Sequence, residues 1–373
     1  MKNKIIFISS SAMPLEVFLL DQIKLLSKKY EIILITNYNN YNKKIFNDFN
    51  IISIPISRNI NLLNDFISLI KVIFFFIKFK PKLIISITPK GGLISSTANY
   101  FIKIKHLHFI TGQNWINKNG FLRFFYKSID KFTFSNASSL LLDSSSQIKF
   151  LKSEKFKIDK MKLINSGSIC GVRTDIFLPN KTFKYSERKK LEINKNTIII
   201  LYAGRIHYEK GIYELYNVCK KIFNEGFKIS LFLVGAIEDK NFFKIIEQNK
   251  SFISYFEHNA FPQKFMQISD IFCIPSYREG FGLSVIEASA CELPILGTNI
   301  NGLKDSILDN HTGILFKPYN EIDFYNKLKK LIMNEGLRYQ LGKSGRKRVL
   351  SNFNKKDVLN FIDMHIHKII NSS

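Results

Sequence analysis

The chain has 373 residues, 46% of them hydrophobic, and 55 Lys and Arg against 30 Asp and Glu, a net charge of +25. That length exceeds what one core usually serves, so two domains are expected, and the apolar content is ample for two buried sheets. The four cysteines, Cys170, Cys219, Cys273 and Cys291, lie far apart without C-x-x-C spacing, which argues against disulfides and zinc ligands and fits a cytoplasmic protein.

The first apolar run, in MKNKIIFISSS, is too short for a signal peptide and reads as a strand over Ile5–Ser9. Further buried strands are expected at Ile32–Thr36, Ile51–Ile56, Leu83–Thr88, Leu107–Thr111 and Leu140–Asp143. Between the third and fourth lies Leu62–Phe79, strongly apolar but interrupted by Asn64, Asp65, Lys71 and Lys78. Its uninterrupted part, Val72–Ile77, cannot span a bilayer. Two readings stand: a buried helix, or an outer aromatic face lying on an anionic leaflet, with Lys78, Lys80 and Lys82 after it and Lys103 and Lys105 joining.

The polar stretch Pro179–Asn196 places a linker near 175–185, so the segments are read as 1–178, 186–350 and a C-terminal helix, 351–373, packing back toward the N-terminal domain. Strands then resume at Thr197–Ala203, Ile229–Val234, Ile271–Ile274, Ile295–Thr298 and Gly313–Phe316. Strands alternating with helical patterns in both halves predict an α/β protein of two doubly wound parallel sheets. Two crevices facing one another across the linker would form its active-site cleft.

The richest stretch is Pro275–Glu287, PSYREGFGLSVIE. Gly280 and Gly282 flank Phe281 and permit a tight turn close to a ligand, and a helix begins near Leu283. A strand, a glycine loop and a helix N-terminus in that order suit a phosphate. Glu279 and Glu287 border the same place, and a carboxylate, accepting two hydrogen bonds, suits a ribose diol or sugar hydroxyl pair. Cations for the phosphate come from upstream, where Thr197–Ala203 runs into Gly204-Arg205 and then Glu209-Lys210-Gly211. Arg205 and Lys210 thus project over one strand-end crevice. Each piece is common alone; their joint order is specific.

AGRIHYEKG followed by EGFGLSVIE resembles the nucleotide-sugar site of family 4 glycosyltransferases, enzymes of the GT-B fold with two Rossmann-like domains. Phe232–Ala236, Ser269-Asp270, Pro294, Gly302, His311-Thr312-Gly313 and Asn165–Val172 follow the family order, and the likeness is strongest over 197–316. The resemblance implies a retaining hexosyl- or N-acetylhexosaminyltransferase using a UDP-linked sugar, with a glycan or polyprenyl-diphosphate-linked acceptor in O-antigen, capsule or lipopolysaccharide assembly. It assigns donor binding to Gly204, Arg205, Lys210, Gly280, Phe281, Gly282, Leu283 and Glu287. The catalytic residues it implies are Arg205 and Lys210, which would stabilise the departing charge, and Glu279, which would face the hexose. No D-x-D sequence occurs, so no metal or other cofactor is expected, and the cations and loop amides would stabilise the departing diphosphate.

Where relatives carry His-Gly after the fifth strand, this chain has Thr111-Gly112. Acceptor contacts are therefore placed at Lys90 and Gly91, beside Gly92, and at Thr111, Gly112 and Gln113 in a loop reaching Trp115. His106 and His108 alternate on a strand and read equally as structural. The Ser9–Met13 turn would also border the diphosphate. No nucleic-acid module accompanies the charge, so peripheral contact at the inner face of the cytoplasmic membrane is the expected use of it. Two other readings remain open at this point. One is a UDP-sugar 2-epimerase of the same architecture; the other is a non-catalytic basic protein binding membrane or nucleic acid.

Overall fold

The structure, a computed structural model, describes residues 2–38, 43–57, 59–257 and 261–372. Met1 and Ser373, the outer ends of the predicted segments, lie outside these. The chain divides into two compact units, Met1–Cys170 with Lys356–Ser373, and Gly171–Lys355.

The first unit is built on a seven-stranded sheet, β1 (Lys4–Ser9), β2 (Glu31–Thr36), β3 (Asn50–Ser53), β4 (Leu83–Ile87), β5 (His106–Ile110), β6 (Ser139–Leu142) and β7 (Met161–Leu163). Its order is β3-β2-β1-β4-β5-β6-β7, every pair parallel. The second unit holds β8 (Ile198–Ala203), β9 (Ile229–Val234), β10 (Ile253–Phe256), β11 (Ile271–Ile274), β12 (Ile295–Thr298) and β13 (Gly313–Phe316), in the order β10-β9-β8-β11-β12-β13, again all parallel. Strands covered by helices on both faces must be apolar throughout, which is why IIFI, LIISI and IFCI show little alternation. In each sheet the winding reverses beside the first strand, between β1 and β4 and between β8 and β11. That is where ligands bind in open sheets of this kind.

The eleven expected strands occur, most within a residue of their predicted ends. The run Ile51–Ile56 stops at Ser53, two residues before Pro55, which has no N–H for the ladder. β7 and β10 escaped sequence reading because both are short strands at a sheet edge, so neither carries a fully apolar run.

The domain boundary falls at Cys170 and Gly171 instead of near 178–186. The polar stretch there is largely a surface helix, Lys181–Lys190, with no buried residue. Lys184 and Arg188 pair with Asp270 at 2.7 and 3.0 Å, while Phe177 and Phe183 pack against the second unit's core. The chain re-enters the first unit with the helix Lys355–Asn371. There His365 meets Ser139 Oγ at 2.8 Å, His367 meets Tyr30 Oη at 3.1 Å, and Lys105 Nζ donates to the carbonyl of Ile370 at 3.3 Å. Lys105 therefore caps a helix C-terminus and does not join the expected basic face.

The helix Leu62–Phe79 starts at an Asn61 cap, whose side chain accepts from Asn64 N at 3.0 Å. Val72 and Phe76 bury against Ile6, Ile33 and Ile84 of the sheet. Leu62, Phe66, Ile70, Phe74 and Ile77 lie on the other side and are 51–82% exposed. The segment is thus a core helix on one face and an apolar surface on the other, so the two sequence readings each describe one side of it.

His106 and His108 both point to Ser86 Oγ, at 2.7 and 2.8 Å, inside the sheet. Burial pulls His106 down to about 3, helped by repulsion from His108, and pulls His108 down to about 4 against a hydrogen bond from Ser86. They are neutral structural groups. In the unfolded chain both titrate near 6.5, so below that pH the unfolded state takes up protons first and stability is lost down toward pH 4. The stability contribution is full above about pH 6.5. Urea unfolding at neutral pH and at about pH 5 should show this loss, and His108→Asn should shrink it; a loss of unchanged size in the variant would refute the assignment.

Candidate functional site

At the switch point of the second sheet, β8 delivers Gly204 and Arg205 and β11 delivers the loop Pro275–Gly282. Two further loops, after β8 and after β12, fasten that one in place. Tyr277 N donates to Glu209 O at 3.0 Å, and Arg278 reaches Glu209 at 3.2 Å. Gly211, at φ +67°, passes so close that a β-carbon there would stand 2.1 Å from Pro275 O. Gly302, after β12 and at φ +90°, would set one 2.4 Å from Gly280 O. Only glycine allows both the left-handed backbone and these approaches.

The predicted cations are present but engaged. Lys210 Nζ lies 2.5 Å from Glu279 Oε1, which also accepts from Ser276 Oγ at 2.8 Å. Arg205 Nη1 lies 2.6 Å from Glu238 Oε2, and its carbonyl accepts from Tyr202 Oη at 2.7 Å. Glu238 was missed by sequence reading because it follows β9, outside both motifs. Its neighbour Ile237 bridges to Ile206, which brings the two loops together.

The helix Leu283–Ala290 begins at Gly282, φ +82°, with no side-chain cap. Its first turn therefore presents amides and the positive end of the helix dipole to the crevice. Phe281 does not face a ligand. Its ring is buried with Val172, Ile286 and Phe353, edge-on to Phe353 at 5.3 Å, and Leu283 packs against the same cluster. Phe281 thus offers the site only its backbone groups.

Glu287 stands in the second turn of this helix, half-buried. Burial pushes its carboxyl up to about 8, opposed by the positive charge of Lys355. Among the described residues its carboxyl makes no hydrogen bond, so a ligand diol would find it available.

In the first unit the predicted acceptor residues separate. Lys90 Nζ is held by Asp65 at 2.9 Å and by the carbonyl of Asn59. Gly91 packs tightly, since a β-carbon there would stand 3.0 Å from Thr88 Oγ1 and 3.2 Å from Ile8 O. Gln113 is buried and donates to Gln147 Oε1 at 3.1 Å, so it braces the loop and does not meet the acceptor. Thr111 and Gly112 stay half-buried at the loop start. Trp115 closes that loop, its Nε1 on Asp130 at 2.8 Å and its ring stacked between Phe150 and Phe156. A further residue went unread: Thr88, at φ +76°, a backbone region β-branched residues avoid. Its hydroxyl accepts from Ser10 N and Gly91 N at 3.2 and 3.3 Å and joins the loop after β1 to the helix Pro89–Asn99. No group of His, Cys, Asp and Glu able to hold a metal occurs among the described residues.

The family model for glycosyl transferases group 1 matches residues 183–348. The capsular polysaccharide biosynthesis glycosyltransferase CapM of Staphylococcus aureus is 32% identical over 311 residues, 81% of each chain. The N,N'-diacetylbacillosaminyl-diphospho-undecaprenol alpha-1,3-N-acetylgalactosaminyltransferase of Campylobacter jejuni is 28% identical over 62% of this chain and 61% of that one. Among solved structures, Anabaena HepE in complex with UDP and glucose superposes with a TM-score of 0.81, covering 98% of this chain and all of that one, at 14% identity.

The raised Glu287 gives a test independent of any ligand. Between the unfolded value near 4.5 and about 8, the folded state keeps a proton that the unfolded chain has lost. Raising pH through that window therefore costs stability. Glu287→Gln, neutral at every pH, should flatten the decline between roughly pH 5.5 and 8 in denaturant titrations; parallel curves for the two proteins would contradict the burial argument.

Proposed function

The chain belongs to the group 1 glycosyl transferases, and from that membership we propose that it moves a sugar from UDP to a glycan or polyprenyl-diphosphate-linked acceptor in surface-polysaccharide assembly. Membership also sets aside the epimerase and the non-catalytic binding protein. One observation supports the reading most: at the ends of β8 and β11 Lys210 pairs with Glu279 and Arg205 with Glu238, and the loop bearing Glu279 runs into the uncapped start of Leu283–Ala290. The capsule enzyme CapM, the diphospho-undecaprenol acceptor named for the Campylobacter relative, and the UDP bound by HepE support the pathway, acceptor and donor classes.

In this reading the diphosphate sits at the helix start, between Arg205 and Lys210. Each cation is already fixed by a glutamate, so the donor meets oriented charges and little reorganisation accompanies its arrival. The two hydroxyls of the ribose bind Glu287, which ionises as it accepts them. Glu279, held by Lys210 and Ser276, borders the sugar. The acceptor hydroxyl attacks C1 on the face from which UDP departs. Its proton passes to the leaving β-phosphate oxygen, the C1–O bond to phosphate breaks, and configuration is retained. Positive side chains and helix amides take up the developing charge, and no divalent cation is required.

Arg205→Ala or Lys210→Ala should each cost about 2–4 kcal/mol of transition-state stabilisation. UDP release from UDP-sugars, with membrane extract as acceptor and EDTA present, measures this. Near-normal turnover in both variants, or abolition by EDTA of activity in the unsubstituted protein, would overturn the reading.

Membrane contact is the second part of the proposal. Among the described residues no helix is long and apolar enough to cross a bilayer. The exposed stripe Leu62, Phe66, Ile70, Phe74 and Ile77, with Lys78, Lys80 and Lys82 exposed at its end, fits peripheral seating on an anionic leaflet at the cytoplasmic face. Each lysine near such a surface contributes about 1 kcal/mol, weakened by salt. Co-sedimentation should favour anionic over neutral vesicles at low salt and fall when the three lysines become Glu. Equal partitioning to both lipids would leave the stripe without this role.

A further inference from the structure

The loop Pro275–Gly282 carries Glu279 and the glycine turn, yet one side chain ties it sideways to the body of its unit. Tyr277 Oη hydrogen-bonds Glu214 Oε1, in the first turn of the helix Ile212–Asn224, and the ring stacks on Tyr319 with centroids 4.5 Å apart. Behind it lies a small cavity lined by Glu214, Tyr277, Thr298, Phe316 and Tyr319, with room for about one water molecule. Two buried atoms, Glu214 Oε2 and Thr298 Oγ1, have no partner among the described residues. Beside the backbone clamps, the phenol's hydrogen bond and its ring contacts with Tyr319 and Tyr208 fix the loop on this side. Glu279 follows Tyr277 by two residues, so a shift of Tyr277 displaces Glu279, and with it Lys210.

We infer that Tyr277, anchored by Glu214, is a positioning residue that sets where Glu279 and the Gly280–Gly282 turn meet the donor; this rests on the nucleotide-sugar reading of the same crevice. The pair touches neither diphosphate nor sugar. Its hydroxyl–carboxyl bond fixes the loop before the donor arrives, so that binding does not have to order it. Tyr277→Phe keeps the stack and loses the bond, and Glu214→Ala loses the bond from the other side. Glu214→Gln keeps an acceptor for the phenol.

The experiment is calorimetry with UDP on the full chain, alongside UDP release and melting temperature. Tyr277→Phe and Glu214→Ala should each weaken UDP about tenfold, the size of one lost hydrogen bond to a carboxyl group. Each should also lower kcat, because the sugar-side carboxylate is displaced. The double variant should be no weaker than either single one, since both remove one interaction. Glu214→Gln should restore binding to within about twofold. A merely structural pair would lower the melting temperature while leaving Kd and kcat of the folded protein unchanged, and that result overturns the inference. Additive losses in the double variant overturn it as well. If the unsubstituted protein bound no UDP, the nucleotide reading itself would fall and this one with it. UDP binding with unaffected variants removes only the inference.

Discussion

The crevice of the second unit depends on one contact set, the seating of the Pro275–Gly282 loop against its neighbours. Gly211 under Pro275 O, Gly302 under Gly280 O and the Tyr277–Glu209 hydrogen bond clamp it between the loops after β8 and β12. Because the sheet reverses its winding between β8 and β11, the clamped loop borders an open crevice and not another crossover helix. A side chain at either glycine would push the loop outward and pull Glu279 away from Lys210. The meeting of Glu279 with Lys210 follows from this seating.

That crevice is also electrostatically arranged in advance. Both cations are answered by carboxylates, Arg205 by Glu238 and Lys210 by Glu279. A partly buried lysine left alone would be costly, and a lysine held by one carboxylate oxygen keeps its other protons for a second anion. Glu287 is the opposite case, a desolvated carboxyl without a hydrogen bond among the described residues, and burial therefore holds its proton. Polyol hydroxyls are the groups that would make its ionised form favourable there.

The first unit spends its polar residues on structure. His106, His108 and Ser86 form a neutral buried cluster, Gln113 turns inward to Gln147, and Lys105 caps the helix Lys355–Asn371. Its surface carries the exposed apolar stripe Leu62–Ile77. Thr88 departs from this economy: a β-branched residue in a glycine-favoured conformation, kept by two amide hydrogen bonds at that sheet's own switch point.

Sequence alone determined the two parallel sheets, because strands buried on both faces must be continuous apolar runs and such runs are visible without coordinates. It also located the glycine loop after β11, since Gly280, Gly282, Glu279 and Glu287 are local in the chain and their backbone demands are local too. Edge strands β7 and β10 were illegible for the converse reason: half-exposed and short, they owe their conformation to a neighbour's ladder. The polar stretch before β8 read as a linker because composition reports exposure, and a surface helix is as exposed as a linker. Only tertiary structure decided who pairs with whom. Arg205 and Glu238 lie 33 residues apart, Lys210 and Glu279 lie 69 apart, and Tyr277 and Glu214 lie 63 apart. Tertiary structure also turned the Phe281 ring into the core, since a residue's place in the chain sets its backbone reach while packing against Phe353 sets where its side chain goes.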